Sequence, residues 1–300
     1  MARALITGIG GFTGRHLAAE LTRAGYEVCG LTHLGGDAGP RTLACDLGDA
    51  AAVKAAVAQL RPEVVAHLAA VSFVAHGDAN EIYRTNVVGT RNLLAALAAL
   101  ADRPRAVLLA SSANVYGNAT VGVIDESVRP APANDYAVSK LAMEYMAALW
   151  CDQLPITIVR PFNYTGVGQA IEFLMPKLVA HFKQRAAVVE LGNLDVERDF
   201  SDVRSIVRSY RLLLDLPNTG RNSGAVFNVC SGRGYALREV LGMLAELAGY
   251  MPEVRVNPAF VRANEVKTLV GSRQALDALI GAPPQPPLAQ TLQWMLQASE

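Results

Sequence analysis

Tyr136 and Lys140 stand four residues apart in Tyr136-Ala137-Val138-Ser139-Lys140, the spacing that stacks two side chains one turn apart on a single helix face. An ammonium held beside a phenol favours the phenolate, so the pair tunes a tyrosine to give or take a proton near neutral pH. Such a tyrosine suits chemistry at the oxygen of a sugar or ketone. Two more parts are needed: a second hydrogen-bond donor at that oxygen, and a hydride carrier. Ser111-Ser112-Ala113-Asn114-Val115-Tyr116-Gly117, directly after an apolar strand at 106–110, offers the donor. Thr7-Gly8-Ile9-Gly10-Gly11-Phe12-Thr13-Gly14 lies between a short strand and an Ala/Leu-rich helix. There, backbone N–H groups and the helix dipole face an anion and can seat the carrier's phosphates. The glycines at 8, 11 and 14 are spaced by three, unlike the G-x-G-x-x-G pattern.

The elements that must hold these parts follow a regular alternation. Strands are expected at 4–6, 27–31, 42–45, 63–68, 106–110 and 156–159, and helices to about Arg23, over 50–60, over Asn80–Leu100 and over Tyr136–Trp150. This predicts the α/β class, with a Rossmann-like doubly wound parallel sheet that takes ligands outside the carboxyl ends of its strands. Residues 1–163, with returns near 200–230, are expected to form an NAD(P)-binding domain. Residues 164–300 are expected to form most of a smaller, interleaved C-terminal substrate domain. Its pattern is a helix from about Ile171 to Gln184, a strand at 188–191, a helix at 205–214, a strand at 225–229, a helix at 237–247, a strand at 254–256 and two small helices around Pro283–Pro287.

At the end of the second strand, Thr32 stands where an acid would hold the ribose 2′-hydroxyl of NAD. No acid is there to repel a 2′-phosphate, and Arg15, His33 and Arg41 lie nearby in sequence. NADP(H) is therefore favoured and NAD(H) remains open. Gly8, Gly11, Phe12, Gly14, Thr32 and His33 are expected to line the cofactor. Asp46 and Leu47 would meet its adenine edge, although Asp46 reads equally as the cap of the 50–60 helix. Ala69 is small enough to lie against the cofactor, and Pro161, Tyr136 and Lys140 complete the set. Asn86, inside a helix, reads as a polar tie between elements.

Composition narrows the partners. Lys+Arg and Asp+Glu balance at 27 each, so no net field attracts nucleic acid or an anionic membrane, and a polyanionic small molecule must be met by local cations. No apolar run approaches the roughly 20 residues of a membrane span. Met1 to Gly8 enters a strand directly, leaving no room for a signal peptide. Cys29, Cys45, Cys151 and Cys230 are dispersed, as expected of free thiols in a reducing cytoplasm. His16, His33, His67, His76 and His181 show no metal-ligand spacing, so no metal is expected.

Taken together and in order, Gly8-x-x-Gly11-x-x-Gly14, the Ser112 segment and Tyr136-x-x-x-Lys140 resemble the extended short-chain dehydrogenase/reductase family over the whole chain. The resemblance implies a catalytic triad of Ser112, Tyr136 and Lys140. Ser112 aligns by counting back from Val115-Tyr116-Gly117, and Ser111 is then structural. It also implies a nucleotide-sugar substrate on the C-terminal domain and a homodimer formed through the 80–100 and 136–150 helices. Sugar-nucleotide 4,6-dehydratases carry a glutamate two residues after the hydroxyl. Asn114 stands there, and an amide cannot remove a C5 proton, so dehydration is not expected. Arg262-Ala263-Asn264-Glu265-Val266 resembles the segment with which GDP-mannose-type enzymes grip the guanosine ribose. Arg160-Pro161-Phe162-Asn163, Gly166-x-Gly168-Gln169 and Asp195–Phe200 resemble the GDP-4-keto-6-deoxy-D-mannose reductases.

The implied activity is NAD(P)H-dependent reduction of a C4 ketone to GDP-D-rhamnose, or to GDP-6-deoxy-D-talose if hydride arrives on the other face. Two departures bear on that face: Tyr164 replaces an expected histidine, and Asn114 replaces an acid common in that branch. For the GDP-sugar, the resemblance assigns Lys177 and Arg198 to the pyrophosphate, Arg262 and Glu265 to ribose, phosphates and sugar hydroxyls, and Asn114 and Asn163 to the hexose. Phe173 would stack on the purine or, alternatively, fill a helical core. The competing readings are a nucleotide-sugar 4-epimerase with retained NAD and a non-catalytic NADP-binding sensor. Presence of both Tyr136 and Lys140 disfavours the sensor.

Overall fold

Short aliphatic runs alternate with Ala/Leu-rich amphipathic segments through the first 161 residues, a pattern that buries strands between layers of helices. The computed structural model describes residues 1–33, 41–71, 78–119, 122–216, 223–260 and 268–298. The chain begins β1 (Arg3–Thr7), α1 (Phe12–Arg23), β2 (Glu27–Thr32), β3 (Thr42–Ala44), α2 (Ala50–Leu60) and β4 (Val64–His67). It continues with α3 (Ala79–Tyr83), α4 (Thr90–Ala98), β5 (Ala106–Ala110), β6 (Val123–Ile124), α5 (Asp135–Ala148), β7 (Ile156–Pro161) and β8 (Asn163–Thr165). Next come α6 (Leu174–Lys183), β9 (Val188–Leu191), β10 (Glu197–Asp202), α7 (Val203–Asp215), β11 (Ala225–Val229) and β12 (Gly234–Ala236). The last elements are α8 (Leu237–Ala248), β13 (Glu253–Val256), β14 (Thr268–Gly271), α9 (Gln274–Ile280) and α10 (Leu288–Gln297).

Two compact units result. The first comprises 1–117, 129–161 and 207–227, and the second 118–128, 162–206 and 228–300. The first contains a seven-stranded sheet in the order β11-β7-β5-β4-β1-β2-β3. The pairs β1–β2, β1–β4, β2–β3, β4–β5 and β5–β7 are all parallel. The order reverses beside β1, which puts a crevice at the carboxyl ends of β1 and β4. Leu5, Val65, Val107, Leu93, Leu97 and Met143 anchor the core between sheet and helices. This is the expected doubly wound fold. In the second unit, the sheet β12-β10-β14-β6 and the pair β13–β9 accompany α6, α8 and α10 around Leu178, Phe182, Val240 and Leu292.

Three local expectations need correction. The helix read over Asn80–Leu100 is divided by a wide π turn at Arg84–Gly89 between α3 and α4. Such turns lie outside the 3.6-residue period and recur at functional sites. The helix read from Ile171 starts instead at Leu174, which keeps Pro176 in the first turn, where its missing N–H costs nothing. Asp49, not Asp46, caps α2 by accepting from the N–H groups of Ala51 and Ala52. Asp46 instead accepts from Gly48 N and pairs with Arg84 at 2.7 Å.

Candidate active site

The glycine turn is shaped by its own backbone. Gly8 has φ +71°, and a Cβ there would lie 2.9 Å from Ala69 N. A Cβ at Gly14 would lie 2.2 Å from Gly8 O, so the turn closes only because both positions lack side chains. Gly11 is the N-cap of α1, with no side-chain cap and no acid in the first turn. The N-terminal end of the helix dipole is thereby left for a ligand anion. Gly10 is exposed, and a Cβ on it would meet only Thr32 Oγ1, at 3.8 Å. Arg15 Nη1 donates to Gly10 O at 2.7 Å. This open cradle, with helix N–H groups beneath it and a cation at its rim, fits the pyrophosphate and ribose of a dinucleotide.

Phe12 and Thr32 are half-buried beside the turn, and His33 is exposed. Arg41 is engaged by Glu27 at 2.7 Å. Leu47 is buried in the core against Gly89, and its carbonyl accepts from Asn92 Nδ2. Ala69 and Pro161 are half-buried at the ends of β4 and β7.

A chain of buried hydrogen bonds runs from this cradle to α5. Thr90 Oγ1 donates to Asn86 O at 2.7 Å, so it accepts from His67 Nε2–H at 2.8 Å. His67 Nδ1 then accepts from Thr7 Oγ1 at 2.7 Å, and Thr7 Oγ1 accepts from Ala69 N. Burial, with the Lys140 charge adding to it, lowers the His67 pKa to about 3 and keeps the ring neutral. Asn86 pairs in both directions with the Val71 backbone and donates to Ser139 Oγ at 3.0 Å. Ser139 Oγ donates in turn to Tyr136 O. Asn86 is thus the polar tie that its position in a helix suggested.

The α5 helix carries both Tyr136 and Lys140. Asn134 caps it by accepting from Ala137 N, which sets Tyr136 in the first turn. Tyr136 is half-buried, and the Lys140 ammonium lies 5.9 Å from its ring centroid. Lys140 is only 4% exposed, and its Nζ donates to Ala110 O at 2.7 Å, at the end of β5. Burial lowers its pKa to about 8, against the opposing charge of Glu144. Two residues past Ala110, Ser112 Oγ accepts from Asn114 N at 3.2 Å. Its own proton is left to be donated elsewhere. Asn114 is exposed beside it. Lys140 is thereby tied to the carboxyl end of β5, two residues before Ser112, with Tyr136 one turn earlier on the same helix.

Sequence reasoning overlooked the layer beneath. Ser111 Oγ donates to Glu144 Oε1, and Glu144 makes a two-point pair with Arg160 at 2.9 and 2.6 Å. Arg160 Nη1 donates to Tyr116 OH at 2.9 Å, with the guanidinium 4.9 Å from the ring centroid. The available signal was Glu144, an acid one further turn along the face that carries Tyr136 and Lys140.

In the second unit, Asn163 is exposed on β8 opposite Phe200 of β10, two residues from half-buried Arg198. Arg198 Nη1 donates to Glu197 O. Phe173 is exposed as the N-cap of α6, and half-buried Lys177 follows in its first turns. Arg262 and Glu265 lie outside the described residues. Asp199 buries its carboxylate to accept from Ser231 N, Ser231 Oγ and Gly232 N, fixing the loop before β12.

Residues 4–230 match the NAD dependent epimerase/dehydratase family. The GDP-6-deoxy-D-talose 4-dehydrogenase of Aggregatibacter actinomycetemcomitans is 33% identical over 279 residues, covering 92% of this chain and 90% of that protein. The GDP-6-deoxy-D-mannose reductase of Pseudomonas aeruginosa is 34% identical over 305 residues, covering 98% and 96%. A structure of RMD from Pseudomonas aeruginosa complexed with NADPH superposes with a TM-score of 0.83 at 31% identity, covering 99% and 98%. A crystal structure from Burkholderia cenocepacia J2315, described as a candidate epimerase, superposes with a TM-score of 0.93 at 54% identity, covering 98% and 97%.

Proposed function

The chain belongs to the NAD dependent epimerase/dehydratase family, and from that premise we propose that it reduces the C4 ketone of GDP-4-keto-6-deoxy-D-mannose with NADPH. The product is GDP-D-rhamnose, or GDP-6-deoxy-D-talose if the opposite face is reduced. The observation that carries this reading is the pairing of Tyr136 with buried Lys140 at the end of β5, two residues before Ser112. Two relatives named for redox chemistry on GDP-6-deoxyhexoses support the substrate class.

The nicotinamide, when bound, supplies the hydride. Ser112 hydrogen-bonds the C4 oxygen with the proton that Asn114 N leaves free. Tyr136 donates its phenolic proton to that oxygen as negative charge develops on it. Lys140 holds a positive charge beside Tyr136 and offers its ammonium to the nicotinamide ribose. Arg198 and Lys177 supply cations for the GDP pyrophosphate, with Asn114 and Asn163 at the hexose and Phe173 at the purine. Arg262 and Glu265 are assigned to the guanosine ribose by resemblance alone. Gly10, Arg15 and Thr32 lie together at the rim of the cofactor cradle. Arg15 at this rim and Thr32 in place of an acid at the end of β2 favour the 2′-phosphate of NADP(H), although NAD(H) also fits.

The active form is proposed to be a homodimer, because Val88, Tyr145 and Leu149 present exposed apolar surface on adjoining helical elements of the first unit, and its compartment the cytoplasm, which the four free thiols suit. A second reading, a 4-epimerase with retained NAD, is favoured by the description of the Burkholderia cenocepacia structure. Turnover of the keto sugar in Tyr136→Phe tests the proposal. It should fall by about two orders of magnitude or more, the scale of a lost general acid, with NADPH affinity close to wild type. Parallel loss of cofactor binding would make Tyr136 structural and contradict its assigned role.

A further inference from the structure

Ser112 and Tyr136 come from different elements, so their separation depends on whatever locks the β5 turn against α5. Beneath them lies a buried four-membered network. Glu144 follows Lys140 by one helical turn and is 7% exposed, Arg160 at the end of β7 is 5% exposed, and Ser111 and Tyr116 are also buried. One carboxylate oxygen of Glu144 accepts from Ser111 Oγ and Arg160 Nε, and the other accepts from Arg160 Nη2. Arg160 then reaches Tyr116 through Nη1 and through its stacked guanidinium. Ser111 immediately precedes Ser112, and Tyr116 ends the 3-10 turn that Ser112 caps. The pair therefore grips the Ser112 segment at both ends.

We propose that Glu144 and Arg160 are positioning residues, whose buried ion pair fixes the Ser112 turn against the face of α5 that carries Tyr136 and Lys140. The inference rests on the proposed roles of those three residues. A hydrocarbon pair of similar volume would fill this space without desolvating two charges. The ion pair adds direction: its hydrogen bonds specify where two backbone segments stop. It also sets the field at Lys140. Among the described residues, the groups facing that ammonium are Tyr136 and Glu144 on its own helix and neutral His67 on β4, with Arg160 of β7 paired to Glu144.

The test is the titration of Lys140 in the cofactor-free, full-length protein, followed by its 13Cε resonance and assigned by its absence from Lys140→Arg. The wild-type midpoint should lie at about 8. Glu144→Gln removes the favourable charge and leaves Arg160 uncompensated, so the midpoint should fall by about one pH unit, whereas Arg160→Met should raise it by a similar amount. General loosening would hydrate Lys140 and raise its midpoint in both variants, so the fall in Glu144→Gln is the discriminating sign. Ser111→Ala, which cuts only the bond to the Ser112 turn, should lower kcat by about tenfold with the KM for NADPH unchanged. Unmoved midpoints, or wild-type kcat in Ser111→Ala, would overturn the proposal. Failure of the reductase reading would appear separately, as wild-type protein without turnover, and the titration would still read out.

Discussion

Lys140 turns inward to the carboxyl end of β5, and its bond to Ala110 O fixes where its charge lies. His67, on the neighbouring strand, is the opposite case, a titratable group kept neutral by burial and by the Lys140 charge, with both ring nitrogens bonded to threonines. Its pKa in the fold, about 3, lies below its ordinary 6.5. The unfolded chain therefore binds the extra proton first as pH falls. Stability from this group is full above about 6.5 and declines by about 1.4 kcal/mol per pH unit as the solution approaches pH 3. Urea unfolding from pH 7 to 4 should show that slope, and His67→Gln should flatten it. An unchanged slope in the variant would assign acid sensitivity elsewhere. The Tyr136–Lys140 spacing was legible in the sequence because both residues lie within one helix. Glu144, Arg160 and Ser111 were harder to connect, because their partners lie 16 and 33 residues away and no local pattern announces such a pairing.

Between residue and fold stands the glycine turn with α1. Gly14→Ala would drive a Cβ into backbone at 2.2 Å, an overpacking that should cost about 1–3 kcal/mol. Gly10→Ala meets no near neighbour. It should keep the wild-type Tm yet weaken NADPH binding, because its Cβ would project into the space assigned to the cofactor. Calorimetry and fluorescence titration of both variants check the pair of expectations. Wild-type affinity in Gly10→Ala would move the cofactor away from this rim. The strands and helices of the parallel sheet were legible from the alternation of apolar runs. The π turn at 84–89 was not, because a widened turn leaves the hydrophobic period on either side nearly intact. Pro176 contained the true start of α6, which the periodicity of the flanking apolar residues obscured. Asp46 and Asp49 both precede α2, and only the geometry of the turn separates the cap from the residue that pairs with Arg84.

At the scale of the whole molecule, Tyr145 and Leu149 are 70% and 77% exposed on or beside α5, unusual positions for large apolar groups left to water. In Tyr145→Glu/Leu149→Glu, the proposed dimer should become a monomer by light scattering, with the Tm of the first unit's core retained at low concentration. An unchanged mass would place any interface elsewhere. Among the described residues, no helix is long and apolar enough to cross a membrane. The doubly wound parallel class was legible from the alternation of strands and helices, whereas the strand order and its switch point are set by pairings distant in sequence. The substrate is less legible, because Arg198, Lys177 and Asn163 gain meaning only through the nucleotide sugar they would meet. The central claim is net reduction of a sugar ketone, and its most direct test is stoichiometry. Purified protein is incubated with GDP-4-keto-6-deoxy-D-mannose and NADPH, cofactor oxidation is followed by absorbance, and the C4 configuration of the product is read by NMR. The predicted result is one NADPH oxidised for each 4-hydroxy sugar formed. Interconversion of C4 epimers of a nucleotide sugar on tightly retained NAD, with no NADPH consumed when the keto sugar is supplied, would contradict it.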